Sequence, residues 1–147
     1  MFGPEDSFLN LFAKLQAIAP LMPLGGADAK FQPVYVGDVA QAFVDALDNP
    51  ASIGQVYELV GPHVYTLREL VRLAGVYSGQ PRKVIGLPAS IARLQALMLE
   101  YLPGGPLMSR DNLDSMKADN IASGRHPLPP HWKPTPLEAV APYYLRR

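Results

Sequence analysis

Apolar residues return at helical spacing in several stretches of the chain, and most of these stretches carry residues suited to a helix end. Phe8, Leu9, Phe12, Leu15 and Ile18 form the first, behind a Gly3-Pro4-Glu5-Asp6 turn that supplies an N-cap, and Pro20 closes it. Asp38 stands three residues before Gln41, the spacing of a capping box; Val39, Ala42, Phe43, Ala46 and Leu47 then line one face up to Asn49-Pro50. A second box, Thr66 with Glu69, predicts a helix over 67–77 that stops at Gly79. Pro88 fits the first turn of a helix over 89–102, where Ile91, Leu94, Leu97, Met98, Tyr101 and Leu102 make an apolar stripe. Ser109 with 112–118 predicts a shorter helix. Thr135-Pro136-Leu137-Glu138 combines an N-cap, a proline at the first helical position and a glutamate three after the cap, opening a last helix through Tyr144.

Strand signals are fewer. Residues 30–36 (KFQPVYV) read as a strand whose Pro33 cannot donate to a ladder, which puts it at an edge or a bulge. Residues 55–60 (QVYELV) read as a second strand ending at Gly61-Pro62, and 83–87 (KVIGL) as a third. Pro20 to Pro23 with Gly25-Gly26 reads as a loop, and 125–134 is too proline-rich to be regular. Three or four short strands alternating with helices are too few for a complete doubly wound sheet. The expected class is therefore α/β, taking on α+β character in isolation, with one domain over 1–147.

Composition narrows the function. At 48% hydrophobic and 18% charged residues the chain is globular in type and can bury a core. Lys plus Arg is 13 and Asp plus Glu is 13, which leaves no net charge to attract nucleic acid or an anionic membrane. The lack of cysteine excludes disulfides, thiolate nucleophiles and iron–sulfur clusters, and fits a cytoplasmic setting. The first residues do not follow the order of a signal peptide, and every apolar run breaks before the length of a bilayer, so a soluble chain without a transmembrane segment is expected.

Candidate chemistry is sparse. His63, His126 and His131 fall in turns or loops without metal-ligand spacing. Neither Ser78 nor Ser109 sits in a Gly-x-Ser-x-Gly elbow. Glu5-Asp6 is a close carboxylate pair at a helix start, where capping is the ordinary task. Gly25-Gly26 precedes a strand, and Gly75 and Gly79 flank a helix end, so no glycine turn is set to receive a pyrophosphate.

Four segments carry a resemblance in a fixed order: Phe2-Gly3-Pro4-Glu5-Asp6, residues 31–40 (FQPVYVGDVA), residues 57–70 (YELVGPHVYTLREL) and residues 85–88 (IGLP). With the terminal PTPLE run, they resemble the C-terminal part of an atypical or extended short-chain dehydrogenase/reductase of the NAD-dependent epimerase/dehydratase family. Within it they are similar to the group of the NAD(P)H-binding accessory subunit of respiratory complex I. The resemblance implies the C-terminal portion of a Rossmann-like fold with its small helical substrate lobe. It also implies NAD or NADP in the full-length parent, with none bound by this chain alone.

The family's glycine motif and its Tyr-x-x-x-Lys pair are absent here: positions 10, 26, 79, 113 and 129, four before each lysine, hold no tyrosine. No catalytic residue is therefore assigned, and whether the chain takes part in an enzyme stays open. The resemblance aligns Phe2, Gly3 and Pro4 with the turn near the nicotinamide end of the cofactor; a plain turn before a helix is the other reading. It aligns Gln32 and Tyr35 with the substrate-facing strand, to hydrogen-bond and to stack, against a reading as edge packing. Asp38 matches an acidic family position that its capping spacing already explains.

The implied partner is the missing N-terminal half. A rival reading is an autonomous interaction module that docks on another protein or on a second copy through the stripe of 89–102, at the periphery of a membrane complex. A truncated chain, a proteolytic remnant and an internal start all fit.

Overall fold

Helix α1 (Ser7–Ile18) starts where Asp6, in extended backbone, accepts a hydrogen bond from the Leu9 amide at 2.6 Å in the computed structural model. The structure describes residues 1–88, 90, 91 and 119–146. Leu9, Phe12, Ala13 and Gln16 are the buried positions of α1, one stripe at i, i+3, i+4 and i+7. Helix α3 (Leu67–Tyr77) repeats the pattern with Leu67, Leu70, Val71, Ala74 and Gly75, and helix α4 (Leu137–Leu145) buries Leu137, Ala141 and Leu145. These three helices pack against one another and carry most of the core.

Beside them lies a parallel pair of strands, β1 (Leu21–Gly25) and β4 (Lys83–Leu87), in register from Leu21 opposite Lys83 to Gly25 opposite Leu87. Met22 and Leu24 point into the core. The 20–26 stretch is thus partly a strand and not the loop its prolines and glycines suggest. Pro23 is compatible because a two-stranded sheet has only edge strands.

Residues 30–36 form less ladder than their pattern predicts. Only β2 (Lys30–Phe31) pairs antiparallel with β3 (Tyr65–Thr66), and the run then breaks at Pro33 before Tyr35 makes a parallel bridge to Phe2. Residues 55–60 are not a strand. Their polar backbone is met from elsewhere: the Glu58 amide donates to Pro127 O, and the Trp132 indole donates to Val60 O. The Gln32 amide donates next door, to Gly61 O.

Helix α2 (Val36–Asp48) departs most from expectation. Tyr35 is its N-cap and makes no side-chain cap bond, so the Asp38–Gln41 box does not form; Gln41 donates to Asp45 instead. Asp38 reaches forward across the chain to Thr135, accepting from its amide at 2.6 Å and its hydroxyl at 2.8 Å. Thr135 is thereby engaged as a donor, and Pro136 becomes the N-cap of α4. The helices expected over 89–102 and 112–118 lie outside the described residues except for Ser90 and Ile91, as does the apolar stripe beyond Ile91.

The capping box of α3 forms as its spacing predicts. Thr66 Oγ1 accepts from the Glu69 amide at 3.2 Å, and the Glu69 carboxylate accepts from the Thr66 amide at 2.7 Å. Gln16, fully buried, is satisfied at both ends of its amide: Nε2 donates to Val71 O at 2.7 Å, and Oε1 accepts from the Arg82 amide at 3.2 Å.

Two outcomes follow. A Cβ at Gly61 would run into the Pro33 carbonyl, a backbone atom with little room to move. Gly61→Ala is expected to cost about 1–3 kcal/mol of unfolding free energy, read from urea denaturation. Glu69 is held below its ordinary carboxylate value by the Thr66 amide first and the Thr66 hydroxyl second. With the folded value depressed, its contribution is complete above pH 4.5 and fades as the pH falls below that. Glu69→Gln keeps the box and loses the charge, so this part of the acid-side decline in stability should vanish in a pH series.

Candidate functional site

The amino-terminal turn is fixed before it offers anything to a ligand. Phe2 sits in a parallel rung with both backbone groups paired, donating to Val34 O and accepting from the Val36 amide, each at 2.9 Å. Its buried ring packs on Tyr35 with centroids 5.5 Å apart. Gly3 presses against the Val36 side chain, and the Asp6 amide closes the turn by donating to Gly3 O at 2.9 Å. Asp6 Oδ2 accepts the Tyr144 hydroxyl of α4 at 2.6 Å. Burial first, and this bond second, push the Tyr144 phenol well above its ordinary range, so it stays a neutral donor.

At this turn opens a cleft of about 440 Å³, lined by Phe2, Phe8 and Leu9 together with Phe31 to Val34, Val60 and Ile121. Its size lies within the roughly 300–1,000 Å³ of small-molecule sites. Asp6 is the only ionisable side chain among the lining residues, and its two oxygens are committed to the Leu9 amide and the Tyr144 hydroxyl. The lining can hold a flat or apolar group and orient it, but it offers no free acid, base or nucleophile among the described residues.

Phe2 and Gln32 line this cleft together. Gly3, Pro4 and Tyr35 do not: Gly3 is buried behind the turn, Pro4 is exposed on its outer side, and Tyr35 is half-buried against Phe2 and Gly37. Gln32 already uses both ends of its amide, donating to Gly61 O at 2.8 Å and accepting from the Ala122 amide at 2.9 Å. In the same 122–124 stretch, Ser123 donates its hydroxyl and amide, and Gly124 its amide, to the Glu58 carboxylate; the hydroxyl bond is the largest cause of its lowered pKa.

Asp6–Tyr144, Asp38–Thr135 and Glu58–Ser123 were not foreseen. Each joins residues 65 to 138 positions apart, so no local spacing marks them.

A dinucleotide needs a helix start free to receive its diphosphate. Every described α-helix here carries a carboxylate at that end: Asp6 at α1, Asp38 in α2, Glu69 in α3 and Glu138 in α4. The described residues therefore do not fit the pyrophosphate. Nor do they gather three metal-ligating side chains, and His63, His126 and His131 stay dispersed among them.

No family model matches the chain. A crystal structure of a Burkholderia cenocepacia protein assigned as an epimerase covers 98% of this chain and 41% of its own, with TM-score 0.54 and 17% identity. The fold is accordingly the C-terminal portion of a Rossmann-like, epimerase-type architecture, reduced here to few short strands. Among curated proteins, the chain is 36% identical over 135 residues to the mitochondrial NADH dehydrogenase (ubiquinone) 1 alpha subcomplex subunit 9 of Arabidopsis thaliana, covering 84% of this chain and 33% of that one. The Rattus norvegicus protein of the same name is 31% identical over 151 residues, covering 100% of this chain and 40% of its own. The chain is thus a homologue of one segment of these complex I subunits and spans about a third to two-fifths of their length.

Tyr144→Phe removes the bond that ties α4 to the amino-terminal turn. A loss of about 1–3 kcal/mol is expected by urea denaturation, as for a hydrogen bond to a charged group, with little change in the far-ultraviolet circular dichroism.

Proposed function

We propose that this chain is the C-terminal, substrate- and cofactor-facing lobe of an NAD(P)-binding epimerase/dehydratase-like protein, with no catalysis of its own. One observation carries this reading: a ligand-sized cleft reaches the starts of α1 and α4, and every helix start among the described residues carries a carboxylate, so the lobe can contact a ligand but does not fit a diphosphate. The family's reductase pair has no counterpart in the sequence.

Residues 1–147 act as one domain, and the dinucleotide-binding half belongs to the parent. In the assembled parent, Phe2 and Gly3 hold the turn, and Pro4 on its outer side meets the nicotinamide end of the cofactor. Gln32 and Tyr35 border the substrate. For Gln32 the support is its position in the cleft lining; for Tyr35 it is the tilted contact of its ring with Phe2, which lines the cleft. The relatives' names, mitochondrial NADH dehydrogenase subunits, favour a setting on such an assembly over a free cytoplasmic one. No helix among the described residues is long and apolar enough to cross a bilayer.

Equilibrium dialysis tests the division of labour. The 147-residue chain should bind NADPH with a Kd weaker than about 1 mM, equivalent to less than about 4 kcal/mol of binding. A chimera carrying the unmatched segment of the Arabidopsis relative ahead of Met1 should bind it at least tenfold more tightly, about 1.4 kcal/mol. Hydride transfer from NADH or NADPH to a carbonyl substrate by the chain alone would overturn the reading.

A further inference from the structure

The polar groups around the cleft at the amino-terminal turn are largely spent on protein partners. Asp6, the only ionisable side chain among the described lining residues, gives one oxygen to the Leu9 amide and the other to the Tyr144 hydroxyl. Gln32 uses both ends of its amide, on Gly61 and Ala122. The Val34 and Val60 carbonyls accept from the Phe2 amide and the Trp132 indole. Most of the remaining lining is hydrocarbon: the rings of Phe2, Phe8 and Phe31, with the last two 6.0 Å apart at their centroids, and side chains such as Leu70 of α3 and Leu137 of α4.

One polar side chain is left over. Asn120 lines the same cleft, and its main chain is fixed on both sides, the amide donating to Lys30 O at 2.8 Å and the carbonyl accepting from the Gln32 amide at 3.0 Å. Its carboxamide makes no hydrogen bond among the described residues.

Such a wall discriminates among ligands. A sugar or a nucleotide would give up water around several hydroxyls or a diphosphate and meet donors and acceptors that are already occupied. A hydrocarbon chain gains with every methylene that leaves water and needs a polar contact at one end only. The volume of about 440 Å³ has room for about fifteen non-hydrogen atoms at roughly 30 Å³ each, the share of a molecule in liquid water.

We propose that this cleft binds an uncharged amphiphile of that size, its hydrocarbon chain against Phe2, Phe8 and Phe31 and a single hydroxyl or carbonyl end at the Asn120 carboxamide. The inference deepens the proposed function by naming the ligand class of the same cleft, and it rests on that reading. Gln32, with its amide spent, acts as a positioning residue for the 120–122 stretch that carries Asn120 and Ile121.

Calorimetric titration of the 147-residue chain with hexanol, octanol and decanol tests this. Affinity should rise by about tenfold with each added pair of methylenes. UDP-glucose, which presents sugar hydroxyls and a diphosphate, should not displace decanol. Absence of decanol binding, or its displacement by UDP-glucose, overturns the proposal. Ile121 is 40% exposed, so Ile121→Asp should keep the urea midpoint while its carboxylate on the cleft wall weakens decanol by about tenfold or more. Phe43→Asp, outside this cleft and lining another groove, should leave the affinity unchanged; a loss there instead puts the ligand elsewhere and overturns the proposal. Asn120→Ala should weaken decanol by about two- to tenfold, the span of one hydrogen bond, and an unchanged affinity overturns the placement of the polar end. These last two variants and the length series decide even if Ile121→Asp does not fold.

A free amphiphile and the tail of a membrane lipid share this chemistry. Flotation with zwitterionic phosphatidylcholine vesicles that decanol reverses assigns the source to a lipid, and decanol binding without flotation assigns it to a free molecule; both support the proposal. Failure here is distinguishable from failure of the proposed function. No decanol binding in a chain whose chimera gains NADPH affinity removes the inference alone, whereas hydride transfer by the chain alone removes the function.

Discussion

The Asp6 carboxylate meets donors from three directions. One oxygen ends the free amides of α1 at Leu9; the other takes the Tyr144 hydroxyl and approaches the Gly3 amide. An acceptor shared by several donors fixes the groups around it, because withdrawing any one leaves a polar atom without its partner. This one group therefore sets the start of a core helix, the shape of the Phe2–Pro4 turn and the docking of the last helix. The apolar cleft sits on the product of these contacts, with Phe2 and Leu9 as a wall held from behind.

The helical part of the fold was largely legible because its signals are local. Thr66 with Glu69 marks α3 through two contacts within three residues, and the stripe of α1 repeats at a period that the backbone itself imposes. Strands were less so. β1 runs through Pro23 and ends at Gly25, residues that ordinarily signal a turn; what overrides them is pairing with β4 and the burial of Met22 and Leu24, both properties of distant chain. The 55–60 run, bounded by Gly61-Pro62, invited a strand, but its neighbours are loop carbonyls and side chains that satisfy it without a ladder.

The same distinction divides the site residues. Phe2 and Gln32, singled out through resemblance, come together in one cleft, while Gly3, Pro4 and Tyr35 surround it at one remove. Asp38 was misread for a physical reason: aspartate three residues before glutamine fits a cap, and the spacing carries no trace of Thr135, 97 positions away. With α2 the predicted face is divided: Val39 and Ala42 are half-buried, while Phe43, Ala46 and Leu47 are exposed, and the pattern alone could not say how far the helix turns. Amphipathicity fixes the relation of one side of a helix to the other, and the orientation of the pair is decided by whatever else is present.

The parallel pairing of β1 with β4 carries a kinetic consequence. Leu21 and Lys83 meet only after the whole intervening chain has been gathered, and a parallel ladder gives no local turn to start from. Helices α1 and α3, each capped by a residue within three positions, pack against the two strands, α1 on β1 and α3 on β4. The ladder is therefore the part of the fold that depends most on the rest of the chain being in place, since its closure carries a loop-entropy cost that the locally capped helices do not.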